Sequence, residues 1–552
     1  MNSKNLLDAL SSIDEKHTDE ASSPAARELA GGARKSYKIK TAAIILSVAV
    51  FAGLITAGLS LLLPEFISFG GKTPSGPEAG EVTEAYINTD ETQTGEETPE
   101  QTEKIRFPYE GETFELLAPA YGGYCVALTG GETEGDTLSR DAVARWKAVC
   151  EELGVTVRVS CCDSLPGKDS ADGRHKLLDA VTGALESGTG IPDIVIYPGY
   201  IDLLYTAGAF LDLNTIDTLD TGAACWPSGI NSSISVNGRL FGCSGDIVSD
   251  FYAYTYALFY NRALCAEKGV DVVSLESDAL SGSFTLDRFM EAISAVKDQR
   301  YSAEGVFGSG LPSMTASAAS NLALAYLTGA GVEFIVNEGG ELKWVYDWND
   351  AYQVANKLKS SDEGTLTAFE RPLGNNINDF TKAFDSGRLC LIPGRLGTAT
   401  SGAFSSLSGG YGVLPFPKYD GNQESYRTLT ARNGVMMYAI PAANTEKAEA
   451  AGALIGALAR DAYDNLRHTF IESVLPDATD NGRRIMNLLF DTAECPRYAL
   501  LFNLLQTDSV GKTFENHLAY YGNAIDLVYN GRNSYIHSLE GLSRKLPGYG
   551  EP

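Results

Sequence analysis

The chain has 552 residues, of which 71 are acidic and 43 basic, giving a formal net charge of -28. A surface so acidic is repelled by a phosphate backbone, so no nucleic-acid partner is expected, and the charge is read as a contribution to solubility. The length suffices for two or three domains, and a hydrophobic content of 44% suffices for a sizeable core.

Residues 1–40 form a polar tail in which Leu6, Leu7, Leu10 and Ile13 fall at helical spacing. Either a short docking helix or a frayed terminus fits that pattern. Thr41 to Leu63 follows, 23 residues without a charge. As a helix it would span about 35 Å, enough for a hydrocarbon layer of about 30 Å. A buried core helix of that length would show a polar face, and none is present. Arg34, Lys35, Lys38 and Lys40 precede the run and an acidic stretch follows it. The positive-inside rule then puts the N-terminus in the cytoplasm and the bulk of the chain outside the cell membrane. The run is too long for a cleaved signal peptide, so residues 41–63 are expected to stay as a single-pass transmembrane helix. Residues 64–105 are rich in Glu, Thr, Gly and Pro and read as a disordered, self-repelling linker, with ordered structure starting near Phe107.

Beyond Phe107 strand and helix signals alternate. Phe114 opens a strand, Asp141 to Leu153 a helix, Val155 to Ser160 a strand, and Arg174 to Ser187 a helix. Ile194-Val195-Ile196-Tyr197 is a β-branched apolar run of the kind buried on both faces of a parallel sheet. Pro198-Gly199-Tyr200 breaks it. Ligands meet open α/β sheets just past the carboxyl ends of strands, which places Tyr197 and Tyr200 at a candidate site. Asn237-Gly238 is a hairpin signal, and Tyr254 to Asn261 is another buried strand leading into a helix that Gly269 closes. The βαβαβ rhythm predicts a doubly wound α/β lobe with a mainly parallel sheet.

The order of these pieces resembles the family 1 extracellular solute-binding proteins, the maltose-binding type of receptor for ABC importers. PDIVIY followed by AGAFLDL is similar to that family's "PDI" strand and "G-L-L-x-D-L" helix end. Asn237 to Gly242 is similar to its "N-G-K-x-Y-G-x-P" turn, and Leu258 to Leu264 to "L-x-Y-N-K-x-L". FTLDRFMEAISAVK, FTKAFDSGRLCLIPG and YGVLPFPKYDG resemble three further family segments in the same order, over roughly residues 113–460. The resemblance implies a type II, two-lobed periplasmic-binding-protein-like fold, with each lobe a mainly parallel sheet flanked by helices. Lobe I would hold residues 106–252 and 427–475, and lobe II residues 253–426 and 476–552. It implies a ligand cleft between the lobes, delivery to ABC permease subunits, and no enzymatic activity or cofactor. No Cys follows the apolar run, so the lipid anchor usual for Gram-positive members is missing, and residues 41–63 would replace it.

Sugar sites combine aromatic faces with polar groups. By position in the resemblance, the candidates are Tyr197, Tyr200, Trp226, Asp246, Asp250, Tyr254, Arg395, Arg432, Asn433 and Tyr521. At Gly394-Arg395-Leu396 the family's maltose-type members carry "G-P-W", whose Trp stacks on sugar. An Arg there suits a carboxylate or phosphate, so the expected ligand is a sugar, an acidic sugar or a peptide.

The nine Cys show no C-x-x-C or Cys/His spacing for a metal, and Cys150, Cys265 and Cys390 lie in apolar runs as buried thiols. There is no G-x-S-x-G or H-E-x-x-H motif. The SVGKT stretch ending at Thr513 lacks the first Gly of a phosphate loop, Gln506 standing in its place. Two rival readings stay open: a sensor that signals through the N-terminal tail, and a cell-surface glycosidase.

Overall fold

A computed structural model describes residues 85–86, 107–119, 137–162, 170–199, 208–294, 316–338, 341–359, 377–501, 536–542 and 544. The tail, the apolar run 41–63, Tyr200, the SVGKT stretch and Tyr521 lie outside the described residues. Among the described residues no helix is long and apolar enough to cross a membrane.

Four strands open the order: β1 (Ala85–Tyr86), β2 (Thr113–Pro119), β3 (Thr156–Cys162) and β4 (Ile194–Pro198). Helices Thr137–Leu153 and Ser170–Ser187 lie between β2, β3 and β4, so both crossovers are helical. That connectivity makes β2 parallel to β3 and to β4. In β4, Ile194, Val195 and Ile196 have no exposure and Tyr197 has 1%. A strand between two neighbours with helices over its faces has no wet side, and its sequence is apolar throughout for that reason. Burying each of these side chains contributes about 1.5–3 kcal/mol.

The linker expectation needs a correction. Ala85–Tyr86 lies inside residues 64–105, yet it is the edge strand β1, antiparallel to β3 with Ala85 opposite Val159. Without it the outer edge of β3 would present unpaired backbone groups.

The chain then passes through the hairpin turn at Asn237-Gly238, where both residues have positive φ (56° and 69°) and Val236 bridges Arg239. Helix Ser249–Ala253 leads to β5 (Tyr256–Asn261), every residue of which is buried. Asn261 ends the strand and starts the next helix: its Oδ1 accepts the Leu264 N–H at 3.0 Å, capping Arg262–Glu267. A hairpin follows, β6 (Ile335–Glu338) with β7 (Glu341–Trp344), and then β8 (Leu391–Arg395) and β9 (Tyr411–Leu414). The last strands are β10 (Thr428–Leu429), β11 (Met436–Ala439) and β12 (Ala493–Glu494).

These strands make two main sheets within the unit that spans Val82–Pro552. The first has the order β1-β3-β2-β4-β11, with β11 antiparallel to β4. The second has the order β8-β5-β9. Here the expectation of a mainly parallel sheet is wrong: β5 is antiparallel to both β8 and β9. β5 leaves from Thr255, the residue to which Leu396 at the end of β8 is bonded, so the central strand starts where β8 finishes and opposes it.

Three passages connect the two sheet-centred halves. The first is Ser249–Ala253 into β5. The second is β10 through the 3-10 turn Arg432–Gly434 into β11. The third follows helices Ala448–Asp461 and Arg467–Val474 into helix Asp480–Asp491, which packs on helix Val272–Ser281 and β9. β10 and β12 pair in parallel beside these passages.

Candidate functional site

The passages meet in a tight backbone knot. Thr255, the residue before β5, is wholly buried. Its Oγ1 donates to Phe251 O at 2.8 Å and lies 2.8 Å from Thr430 Oγ1. Leu396 N–H donates to Thr255 O at 2.8 Å, and Ala431 N–H donates to Tyr254 O at 3.0 Å. The start of β5, the end of β8 and the end of β10 are therefore pinned to one another. The hydroxyl pair matters because a buried Thr left without a partner would cost about 1–3 kcal/mol.

Glycines allow this closeness. A Cβ on Gly434 would stand 2.8 Å from Tyr254 Cβ and 2.9 Å from both Asp250 O and Thr430 Cγ2. A Cβ on Gly199, just past β4, would stand 2.7 Å from Val435 O and 3.1 Å from Arg432 O. The end of β4 thus abuts the 3-10 turn directly, and that turn abuts the helix carrying Asp250.

Five of the sequence candidates gather here. Tyr254 terminates helix Ser249–Ala253 and is half-buried. Arg395, the exposed last residue of β8, pairs in register with Tyr256. Its guanidinium carbon lies 4.9 Å from the centre of the Tyr254 ring, a cation–π contact worth about 0.5–1 kcal/mol at an exposed site. Arg432, half-buried, and Asn433, exposed, form the 3-10 turn, and Asp250 is half-buried on the helix below. Together they offer one aromatic face, two guanidinium groups, an amide and a carboxylate. That set can stack on a ring and hydrogen-bond polar substituents.

Three candidates belong to the interior instead. Tyr197 is 1% exposed, with its ring 6.1 Å from Phe210 at 61°, because β4 is covered on both faces. Trp226 is 3% exposed and packs in the first half's core. Asp246 has no exposure and is the anchor of an ion cluster. Arg467 donates to its two oxygens at 2.7 and 2.8 Å, and Tyr252 O–H donates to Oδ1 at 2.8 Å. Burial raises the Asp246 carboxyl above its ordinary range, against the pull of Arg467 and Tyr252. Burial opposes the charge on Arg467, but its bonds to Asp246 and Asp491 outweigh that and raise its pKa. These three residues do not present a surface to a ligand.

Sequence reasoning missed Thr255, Thr430, Gly199 and Gly434. Small residues before and after strands carry no periodic signal, and their role exists only once the passages are brought together. Among the described residues no group of three or more His, Cys, Asp or Glu could hold a metal ion.

No protein-family model matches the chain, and no curated protein matches it in sequence. Solved structures do resemble it. The galacto-N-biose/lacto-N-biose I-binding protein of the ABC transporter from Bifidobacterium longum is 15% identical, with 78% of this chain and 97% of that one covered and a TM-score of 0.48. The cyclic α-maltosyl-1,6-maltose binding protein from Arthrobacter globiformis is 13% identical, with 78% and 99% covered and a TM-score of 0.49. The GacH receptor of Streptomyces glaucescens, solved without ligand and with acarbose, is 15% identical, with 78% and 98% covered and a TM-score of 0.46.

Proposed function

We propose that this chain is a membrane-tethered extracellular receptor for a small solute, carbohydrate by class, that captures its ligand between the two sheet-centred halves and passes it to an ABC permease. The observation that carries the reading is the gathering of Tyr254, Arg395, Arg432 and Asn433 at the knot where the passages meet. A ligand held there touches segments continuous with both sheets, so its binding energy can favour a closed arrangement over an open one. The order of sequence motifs described above supports the same reading, and residues 41–63 supply the tether with the N-terminus in the cytoplasm. Binding and release involve no covalent step.

The test is a thermal-shift screen of the full-length chain against neutral sugars, uronic acids and short peptides. A ligand at 100 times its dissociation constant adds about 2.7 kcal/mol of stability. A sugar that raises the midpoint, with a smaller radius of gyration in solution scattering, supports capture by closure. Stabilisation by peptides alone would replace the carbohydrate class.

The amphipathic spacing of Leu6, Leu7, Leu10 and Ile13 favours a second reading, in which the tail reports occupancy to a cytoplasmic partner. Deleting residues 2–30 separates the two. A receptor that only transports keeps uptake and has no signal to lose, whereas a sensor loses its output.

A further inference from the structure

Among the described residues Arg395 is an exposed cation with no carboxylate paired to it. Its backbone is fixed from three directions. It pairs in register with Tyr256. The next residue donates to Thr255 O at 2.8 Å. At Gly397 a Cβ would stand 2.9 Å from Ala253 O, so that turn is pressed against the helix that ends at Tyr254. The guanidinium rests on the Tyr254 ring at 4.9 Å, and Tyr254 is itself held by Ala431 and crowded by Gly434.

A guanidinium that contacts a ring still has five N–H donors in a planar fork to offer to an anion. Among the described residues no carboxylate pairs with the Arg395 guanidinium. Two other arginines near the passages are used differently. Arg467 is bound to Asp246 and Asp491, and Arg427 to Glu494 and Glu333. Arg395 alone of these three is exposed, and it keeps its fork open.

We infer that the Tyr254–Arg395 pair is a carboxylate-recognition subsite, and that the solute is an acidic sugar of the uronic-acid type whose carboxylate takes the guanidinium fork. The inference rests on the receptor reading above and narrows it. Two parallel N–H···O bonds match a planar carboxylate, whereas a neutral hydroxyl engages the fork through one donor at a time. The tyrosine supplies the surface that holds the fork at one orientation, which lowers the entropy lost on binding.

The experiment measures affinities of the full-length chain for matched probes by titration calorimetry. The sugar probes are digalacturonate against neutral galactobiose and glucuronate against glucose. The peptide probes are Glu-Glu against Gln-Gln. The expected result is a uronate at least tenfold tighter than its neutral counterpart and tighter than either dipeptide, with the preference shrinking as salt rises. Arg395→Gln is expected to bring the uronate down to the level of the neutral sugar, and Arg395→Lys to fall between. Because the side chain is exposed, urea midpoints of these variants should match the parent and exclude misfolding. A neutral sugar that binds as well as its uronate, unaffected by Arg395→Gln, overturns the inference and leaves the receptor reading standing. Preference for Glu-Glu over every sugar overturns the uronate assignment. If no probe binds, both the inference and the carbohydrate reading fail.

Discussion

Arg467 grips Asp246 with two parallel hydrogen bonds, Nε to Oδ1 at 2.7 Å and Nη2 to Oδ2 at 2.8 Å, in the interior of the protein. A third N–H of the same guanidinium donates to Asp491 at 2.7 Å, on the last residue of helix Asp480–Asp491. Asp246 precedes the first passage, Arg467 precedes the third, and Asp491 follows it. One side chain therefore ties together segments that flank the first and third passages. Tyr252 completes the cluster, stacked on Phe470 at 5.2 Å while its hydroxyl donates to Asp246.

Truncating Arg467 would leave Asp246 buried without its counterion, and removing one partner of such a pair costs about 3–5 kcal/mol. Arg467→Met should lower the unfolding free energy of the full chain by that amount in urea titrations. Arg467→Lys should lose less, because charge is kept and only the two-pronged geometry goes. A loss below about 1 kcal/mol for Arg467→Met would mean that the cluster does not secure the passages.

Gly434 has no room for a methyl group, given contacts at 2.8 and 2.9 Å to Tyr254, Asp250 and Thr430. Overpacking of this kind costs about 1–3 kcal/mol. Gly434→Ala is expected to destabilise by that range and to weaken ligand binding beyond the stability loss, since Tyr254 and the Arg432–Asn433 turn must move apart. Parent-like affinity in a folded Gly434→Ala protein would detach the turn from the site.

Cys150, Cys225, Cys243, Cys265, Cys390 and Cys495 are buried free thiols. Burial pushes the Cys225 thiol up to about 11 and the Cys150 thiol up to about 12, and it pushes Cys243 and Cys495 higher still. A thiol whose folded pKa lies above its unfolded value contributes stability that is fully present below about pH 9 and is lost as pH rises through the folded value. For Cys150 the loss is about 1.4 kcal/mol per pH unit across that window. Urea midpoints should therefore fall between pH 8 and pH 10, and Cys150→Ala should flatten the fall. At pH 8 iodoacetamide should leave all six thiols unlabelled in the native protein and label them in urea, as peptide mapping would report. Rapid native labelling at pH 8 would contradict the burial.

The first half was legible because its signals are local. The β-branched run Ile194 to Tyr197, the turn at Asn237-Gly238 and the helix that ends at Leu153 each rest on a few adjacent residues. The antiparallel second sheet was not legible, since strand direction depends on where distant segments return and not on any pattern within β5, β8 or β9. The site divides in the same way. Tyr254, Arg395, Arg432 and Asn433 flank strands and were picked out by their positions in the family resemblance. Tyr197 and Trp226 are buried, and an aromatic at a strand end or in a loop looks the same in sequence whether its neighbours cover it or leave it open. Ala85–Tyr86 was hidden in a stretch whose composition resembles a tether.

The proposed tether makes a separate prediction. The full chain should sediment with membranes and stay there at alkaline carbonate extraction, and a chain lacking residues 41–63 should be found in the soluble fraction. Protease added outside intact cells should remove the bulk beyond residue 105. Protection of that bulk from external protease would place it on the other side of the membrane.

Hydrogen–deuterium exchange of the full-length chain, with and without the tightest solute from the screen, tests the central claim most directly. Binding at the knot predicts slower exchange in residues 250–256, 393–397 and 430–435 together, since one ligand would hold all three segments. Protection confined to segments remote from these, at saturating solute, would contradict the account.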